Sequence, residues 1–322
     1  MTFARIIGTG SCLPDKVVTN ADLAKTMDTS DEWIRERTGI HRRHIAAEGE
    51  TTSDIGLRAA QRAIEAAGIE AGDIDMIVVG TATPDKIFPA TACIIQRRLG
   101  ISGGPAFDVS AACSGFIYGL DVANRFIRTG GGRTALVIGA ETLSRITNWE
   151  DRTTAVLFGD GAGAVVLQAS EDTGIISTHI HSDGSSEELL HVPTGVSIGY
   201  DAVQAGEAYI AMNGNAVFRK AVATLDSIAR ETLAGNDIDK HDLDWFVPHQ
   251  ANMRIIKAAA KKLDMPMERV VVTVDEHANT SAASIPLALD IAVRDGRIKQ
   301  GELLLLEAFG AGFTWGSALL RY

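Results

Sequence analysis

Ile74-Asp75-Met76-Ile77-Val78-Val79 and Leu243-Asp244-Trp245-Phe246-Val247 share one form, an apolar run behind an aspartate. Each reads as a buried strand, because such a run leaves no polar face for water. The first leads to a polar loop at Thr81, the second to Pro248-His249-Gln250. The landmarks that follow then recur. In the first half a strand ending in Asp108 leads to Cys113. A helix, the strand Leu136-Val137-Ile138 and a Gly-Asp-Gly-Ala-Gly hairpin at Gly159–Gly163 come next. In the second half a strand ending in Asp275 leads to Asn279, a helix, the strand Leu303–Leu306 and a Gly-Ala-Gly hairpin at Gly310–Gly312. The span from Thr81 to Cys113 nearly matches that from His249 to Asn279. This weak internal repeat implies two related halves, expected at 1–172 and 173–322.

Outward from these runs, β-rich apolar segments alternate with Ala-rich helical ones, the pattern of an α/β protein. Further strands are expected at Ala4–Gly8, Ala106–Val109, Gly163–Gln168, Gly174–His181, Val270–Val274 and Ser317–Leu320. Helices are expected at Thr52–Ala67, Thr91–Leu99, Ser114–Thr129, Asn213–Leu233, Ala251–Leu263 and Ser281–Arg294. Gly68, Gly100, Gly130 and Gly296 sit where helix stops belong.

A formal net charge of -11 excludes nucleic acid as a main partner, since phosphate binding needs a basic field. Cys12, Cys93 and Cys113 are widely separated, which excludes a disulfide framework and a zinc site of the usual spacing. Cys12 and Cys93 read as buried structural thiols. The N-terminus lacks the basic start and apolar core of a signal peptide, and no stretch has the roughly 20 apolar residues of a membrane span. A soluble, cytoplasmic protein is expected.

Cys113, His249 and Asn279 each fall between an expected strand and an expected helix, where α/β sheets gather their ligand-binding loops. Cys113 opens a helix among small neighbours, Ala111, Ala112, Ser114 and Gly115. A helix N-terminus lowers a thiol pKa, which suits a nucleophile, although a buried structural cysteine also fits the position. His249 reads as a functional imidazole or a satisfied core group. Asn279 reads as a site residue or a helix N-cap. Matching positions in a duplicated chain favour function for all three.

Four motifs carry a resemblance: Ala112-Cys113-Ser114-Gly115, Pro248-His249-Gln250-Ala251-Asn252, Asn279-Thr280-Ser281-Ala282-Ala283-Ser284 and Gly312-Phe313-Thr314-Trp315-Gly316. Together they resemble β-ketoacyl-[acyl-carrier-protein] synthase III. The likeness runs the length of the chain, including Thr29-Ser30-Asp31-Glu32-Trp33, Thr38-Gly39-Ile40 and Leu157-Phe158-Gly159-Asp160-Gly161-Ala162-Gly163. It implies the thiolase fold, two related halves in a five-layer αβαβα sandwich, and a homodimer. It also implies a Cys-His-Asn triad of Cys113, His249 and Asn279, where elongating synthases have two histidines and thiolases a second cysteine.

The implied reaction joins an acyl-CoA, with acetyl-CoA the expected starter, to malonyl-acyl carrier protein through an acyl-Cys113 thioester. No metal or other cofactor is implied. Backbone amides of Cys113 and Ala311 would form the oxyanion hole. The family has glycine where this chain has Ala311 and Ala278, and alanine disfavours positive φ. Trp33, Arg37 and Arg152 match positions that hold CoA in relatives, and Phe88 matches the residue closing the acyl pocket across the dimer interface. Arg254, Lys257, Lys261 and Lys262 would give an acidic carrier protein a basic docking ridge. Rival readings are a thiolase-fold condensing enzyme of secondary metabolism, a hydroxymethylglutaryl-CoA synthase, and a non-catalytic acyl-binding subunit. The intact cysteine speaks against the subunit, and the lack of a matching glutamate motif against the hydroxymethylglutaryl enzyme.

Overall fold

The structure is a computed structural model and describes residues 2–322. One sheet runs, in spatial order, Phe3–Cys12, Asp160–Ser170, Thr134–Thr142, Met76–Gly80 and Ala106–Val109. Its first two pairings are antiparallel and its last two parallel. A second sheet runs Ile175–Ser182, Thr314–Arg321, Leu303–Gly310 and Trp245–Pro248 in the same sequence of directions. Every strand of the second sheet therefore has a counterpart in the first. The fifth position is reduced to one parallel bridge between Phe246 and Val270.

That bridge corrects the expected strand at Val270–Val274. The Gln250 carboxamide accepts from the backbone nitrogens of Thr273 and Val274 at 2.8 and 3.1 Å. It also donates to the carbonyls of Pro248 and Val271 at 2.8 and 3.0 Å. One side chain satisfies backbone groups that a strand would pair, and the chain turns into the short helix Val274–His277 instead. The expected strand ending in Asp275 is thus absent. The expected hairpin at Gly159–Gly163 is also overturned, because Asp160–Gly163 begin the long strand Asp160–Ser170. Glycine is needed there for close packing: a Cβ at Gly163 would sit 2.5 Å from the backbone nitrogen of Leu287. The second hairpin forms as expected, joining Leu303–Gly310 to Thr314–Arg321.

Both sheets are buried on two faces. Leu304 and Leu306 face a central layer with Phe116, Leu120, Ile285 and Leu289, from the helices Gly115–Arg128 and Ser284–Arg294. Leu303 and Leu305 face outward against the helices Gly214–Ala234 and Met253–Leu263. Thr52–Ala67 and Thr91–Arg98 cover the outer face of the first sheet. Five layers result: helices, sheet, helices, sheet, helices. Each central helix starts later than expected, behind a short 3₁₀ turn at Ala112–Ser114 or Ser281–Ala283. The repeat extends to backbone detail, with Ala112 at φ 45° and Ser281 at φ 51° opening the two turns.

Candidate active site

Cys113 is the middle residue of the turn Ala112–Ser114, just beyond the strand Ala106–Val109. Left-handed backbone at Ala112 costs an alanine roughly 1–2 kcal/mol, so the surroundings must hold it. The other half of the chain does so. Thr314 Oγ1 donates to the Ala111 carbonyl at 2.8 Å, and Ser114 Oγ donates to the Thr314 carbonyl at 3.1 Å. A Cβ at Gly310 would meet the Cys113 nitrogen at 2.7 Å, so the hairpin strand can back onto the cysteine only as glycine.

The thiol is not lowered as a helix N-terminus would lead one to expect. Burial pushes Cys113 up to about 12, against a downward pull from the Ser281 hydroxyl, and the Glu141 carboxyl raises it further. Cys113 lies ahead of the first residue of the helix Gly115–Arg128, and loss of hydration is the largest influence on its thiol. The resting sulfur is a neutral thiol.

His249 continues the strand Trp245–Pro248, its N–H donating to the Glu307 carbonyl at 2.7 Å. It is 2% exposed, and burial lowers its pKa to about 3, leaving a neutral imidazole. The Phe309 ring packs against it edge-on, with centroids 5.5 Å apart. Asn279 is pinned to the 157–159 segment: its N–H donates to the Leu157 carbonyl at 2.9 Å, and its carbonyl accepts from Gly159 at 3.0 Å. Its side-chain oxygen accepts from the Ser281 nitrogen at 2.9 Å. This is an Asx turn and not the expected helix cap, since Thr280 and Ala283 hold the N-cap positions of the turn and of the helix beyond it. It leaves the NH₂ group free of protein partners among the described residues. The strand expected before Asn279 is replaced by Val274–His277 and by Ala278 at φ 59°, where a glycine would be unstrained.

One cavity of about 410 Å³ brings Cys113, His249 and Asn279 together, with Trp33, Arg37 and Arg254 also on its wall. Arg37 and Arg152 guanidiniums stack on Trp33 at 5.4 and 5.0 Å. Ala311 does not take positive φ, which falls instead on Gly312, so alanine fits the turn without strain. Phe88 is 82% exposed and is not part of this cavity. The expected basic ridge divides. Arg254 stacks on Phe218 at 5.2 Å, Lys262 lies 3.9 Å from Asp226, and Lys257 and Lys261 line a separate groove with Met265 and Met267. Its helix begins at Met253 rather than Ala251, capped by Asn252.

Two family models match: 3-oxoacyl-[acyl-carrier-protein] synthase III over residues 107–184 and the C-terminal part of the same synthase over 233–322. β-Ketoacyl-[acyl-carrier-protein] synthase III of Thioalkalivibrio sulfidiphilus is 66% identical, with 100% of both chains covered. The chain belongs to this family. The synthase of the same name from Xanthomonas campestris pv. campestris is 65% identical over 99% of this chain and 98% of its own. The crystal structure of the Aquifex aeolicus enzyme superposes with a TM-score of 0.94 at 48% identity, over 99% of this chain and 100% of that one. This synthase thus has the thiolase fold and is an acyl-transferring condensing enzyme that initiates fatty acid synthesis.

Around Cys113, His249 and Asn279 lie residues that motif reading passed over. Glu141 is fully buried beside the cysteine and accepts from Ala82 N at 3.0 Å and Thr83 Oγ1 at 2.7 Å. Burial raises it to about 7. Glu307 is 1% exposed, neither of its carboxyl oxygens has a partner, and burial holds it well above the carboxylate range. Each interrupts an apolar strand, and that is the sequence signal that would have flagged it. Ser281, Ser284 and Gln250 sit inside the quoted motifs, but their contacts cross between elements and no spacing announces them.

Proposed function

We propose that the synthase carries an acyl group from acyl-CoA, acetyl-CoA being the starter we assign, to malonyl-acyl carrier protein by a ping-pong Claisen condensation. The observation that carries this reading is the shared cavity, which brings Cys113 together with His249 and Asn279 from the opposite half. In the first half-reaction the Cys113 sulfur attacks the thioester carbonyl, its proton leaves with the CoA thiolate, and an acyl-Cys113 thioester remains. Backbone amides of Cys113 and Ala311 hold the tetrahedral oxyanion. In the second, malonyl thioester releases carbon dioxide and leaves its bonding electron pair as an enolate. His249 and Asn279 donate to the enolate oxygen. The enolate carbon attacks acyl-Cys113, and the departing thiolate takes a proton from solvent.

Trp33, Arg37 and Arg152 are assigned to the CoA nucleotide, for which a stacked indole and two guanidiniums are suited. Phe88 is assigned to the acyl pocket of a partner protomer in a cytoplasmic homodimer, consistent with so exposed an aromatic ring. The halves 1–172 and 173–322 are taken as the two related domains. No helix among the described residues is long and apolar enough to cross a membrane.

Incubation with acetyl-CoA followed by mass spectrometry tests the reading. One acetyl adduct, confined to Cys113, is expected. Labelling only by longer acyl-CoAs would reassign the starter, and no labelling by any acyl-CoA would end the proposal.

The basic helix is assigned to docking the carrier protein. Arg254 lies on the cavity wall, so Lys257 and Lys261 are the cleaner probes. Reversing both to glutamate is expected to weaken reaction with malonyl-acyl carrier protein about tenfold at low salt and to flatten its salt dependence. Acylation by acyl-CoA should stay near wild type. Equal losses in both half-reactions would make the lysines structural.

A further inference from the structure

Ser284 is the first residue of the central helix Ser284–Arg294 and is 2% exposed. Its hydroxyl oxygen lies 2.6 Å from His249 Nδ1 and 3.3 Å from the backbone nitrogen of Gln250. A hydroxyl has one proton and two lone pairs, and the Gln250 N–H can only donate. That bond occupies one lone pair. If Nδ1 carried a proton it would take the other, and the buried hydroxyl hydrogen would have no acceptor among the described residues. If Nδ1 is bare, the hydroxyl donates to it and all three groups are satisfied.

The frame around this contact is rigid. The four hydrogen bonds of the Gln250 side chain fix the residue next to His249. The edge-on Phe309 ring limits rotation of the imidazole. His249 Nε2 has no protein partner among the described residues, and His249 lines the cavity beside Cys113 and Asn279.

We propose that Ser284 is a positioning residue that fixes His249 as the Nε2–H tautomer, so that the unengaged ring nitrogen is a hydrogen-bond donor rather than a base. This rests on the condensing role given above and deepens it. An enolate oxygen is stabilised by N–H and repelled by a lone pair, so the tautomer decides whether His249 works with Asn279 or against it.

Nitrogen NMR of the ¹⁵N-histidine-labelled synthase, without substrate, reads the tautomer directly. A His249→Gln variant assigns the resonance among the 8 histidines. The expected wild-type pattern has the proton on Nε2. In Ser284→Ala the two tautomers should mix, and carbon dioxide release from malonyl thioester should fall on the order of tenfold, the low end of the loss when a metal-binding histidine loses its orienting partner. Ser284→Thr, which keeps the hydroxyl, should restore both. Retained acylation of Cys113 by acetyl-CoA shows that the variants fold. A wild-type proton on Nδ1 would overturn the proposal, as would a Ser284→Ala protein that keeps the Nε2–H pattern and the wild-type release rate. Failure of the condensing role itself would appear elsewhere, in undiminished decarboxylation by His249→Ala, so the two failures are distinguishable.

Discussion

Cys113→Ala should form no acyl-enzyme and should lose condensation by at least about 10⁴-fold, while still releasing carbon dioxide slowly from malonyl thioester. The size follows from removing the sulfur assigned to store the acyl group, a loss that positioning and hydrogen bonding do not replace. The residual decarboxylation follows from geometry, because His249 and Asn279 are held by Ser284, Ser281 and Leu157 and not by the cysteine. Alanine at 113 leaves those contacts untouched. Burst acylation and carbon dioxide release, measured separately, check both parts. Acyl-enzyme formed by the alanine variant would remove Cys113 from its role, whereas complete loss of decarboxylation would tie the donors to the sulfur.

Much of this arrangement was legible in the sequence, and the illegible part has a common cause. Apolar runs such as Met76–Gly80 and Leu303–Gly310 announce strands because burial on both faces leaves no other reading. The helix Thr52–Ala67 was readable to the residue, with its stop at Gly68. That Cys113, His249 and Asn279 line one cavity follows from the duplication, which sets Cys113 and Asn279 at matching places and His249 opposite Thr81. The failures lie where one side chain replaces backbone pairing or where contacts are long-range. No local pattern says that Gln250 will satisfy Thr273 and Val274 and so dissolve the strand expected there. A glycine run reads as a turn, yet Gly163 is glycine because the backbone of Leu287 lies against it. The raised thiol pKa is of the same kind. The N-terminal position of Cys113 is local information, whereas its burial comes from the opposite half of the chain.

The division of labour makes its strongest demand on the two donors. His249→Ala and Asn279→Ala should each still form acyl-enzyme on Cys113 while losing malonyl decarboxylation. One lost oxyanion-type donor costs on the order of 3–4 kcal/mol, or about a hundred- to a thousandfold in rate. The double variant should fall by less than the product of the single losses, because both N–H groups serve one oxygen. The pH dependence adds a separate constraint. His249 is lowered to about 3, so the neutral donor persists as pH falls through the usual histidine range and is lost only near the shifted value. Wild-type decarboxylation should therefore show no inflection from His249 near 6.5, the ordinary pKa of histidine. Any step in that range should survive in His249→Ala as the titration of Glu141, which burial raises to about 7. Carbon dioxide release across that range, for the wild type and each variant, decides the matter. An inflection there that disappears in His249→Ala would mean a titrating imidazole rather than a fixed donor. Wild-type release rates in both single variants would transfer the enolate to other groups, even with Cys113 still acylated.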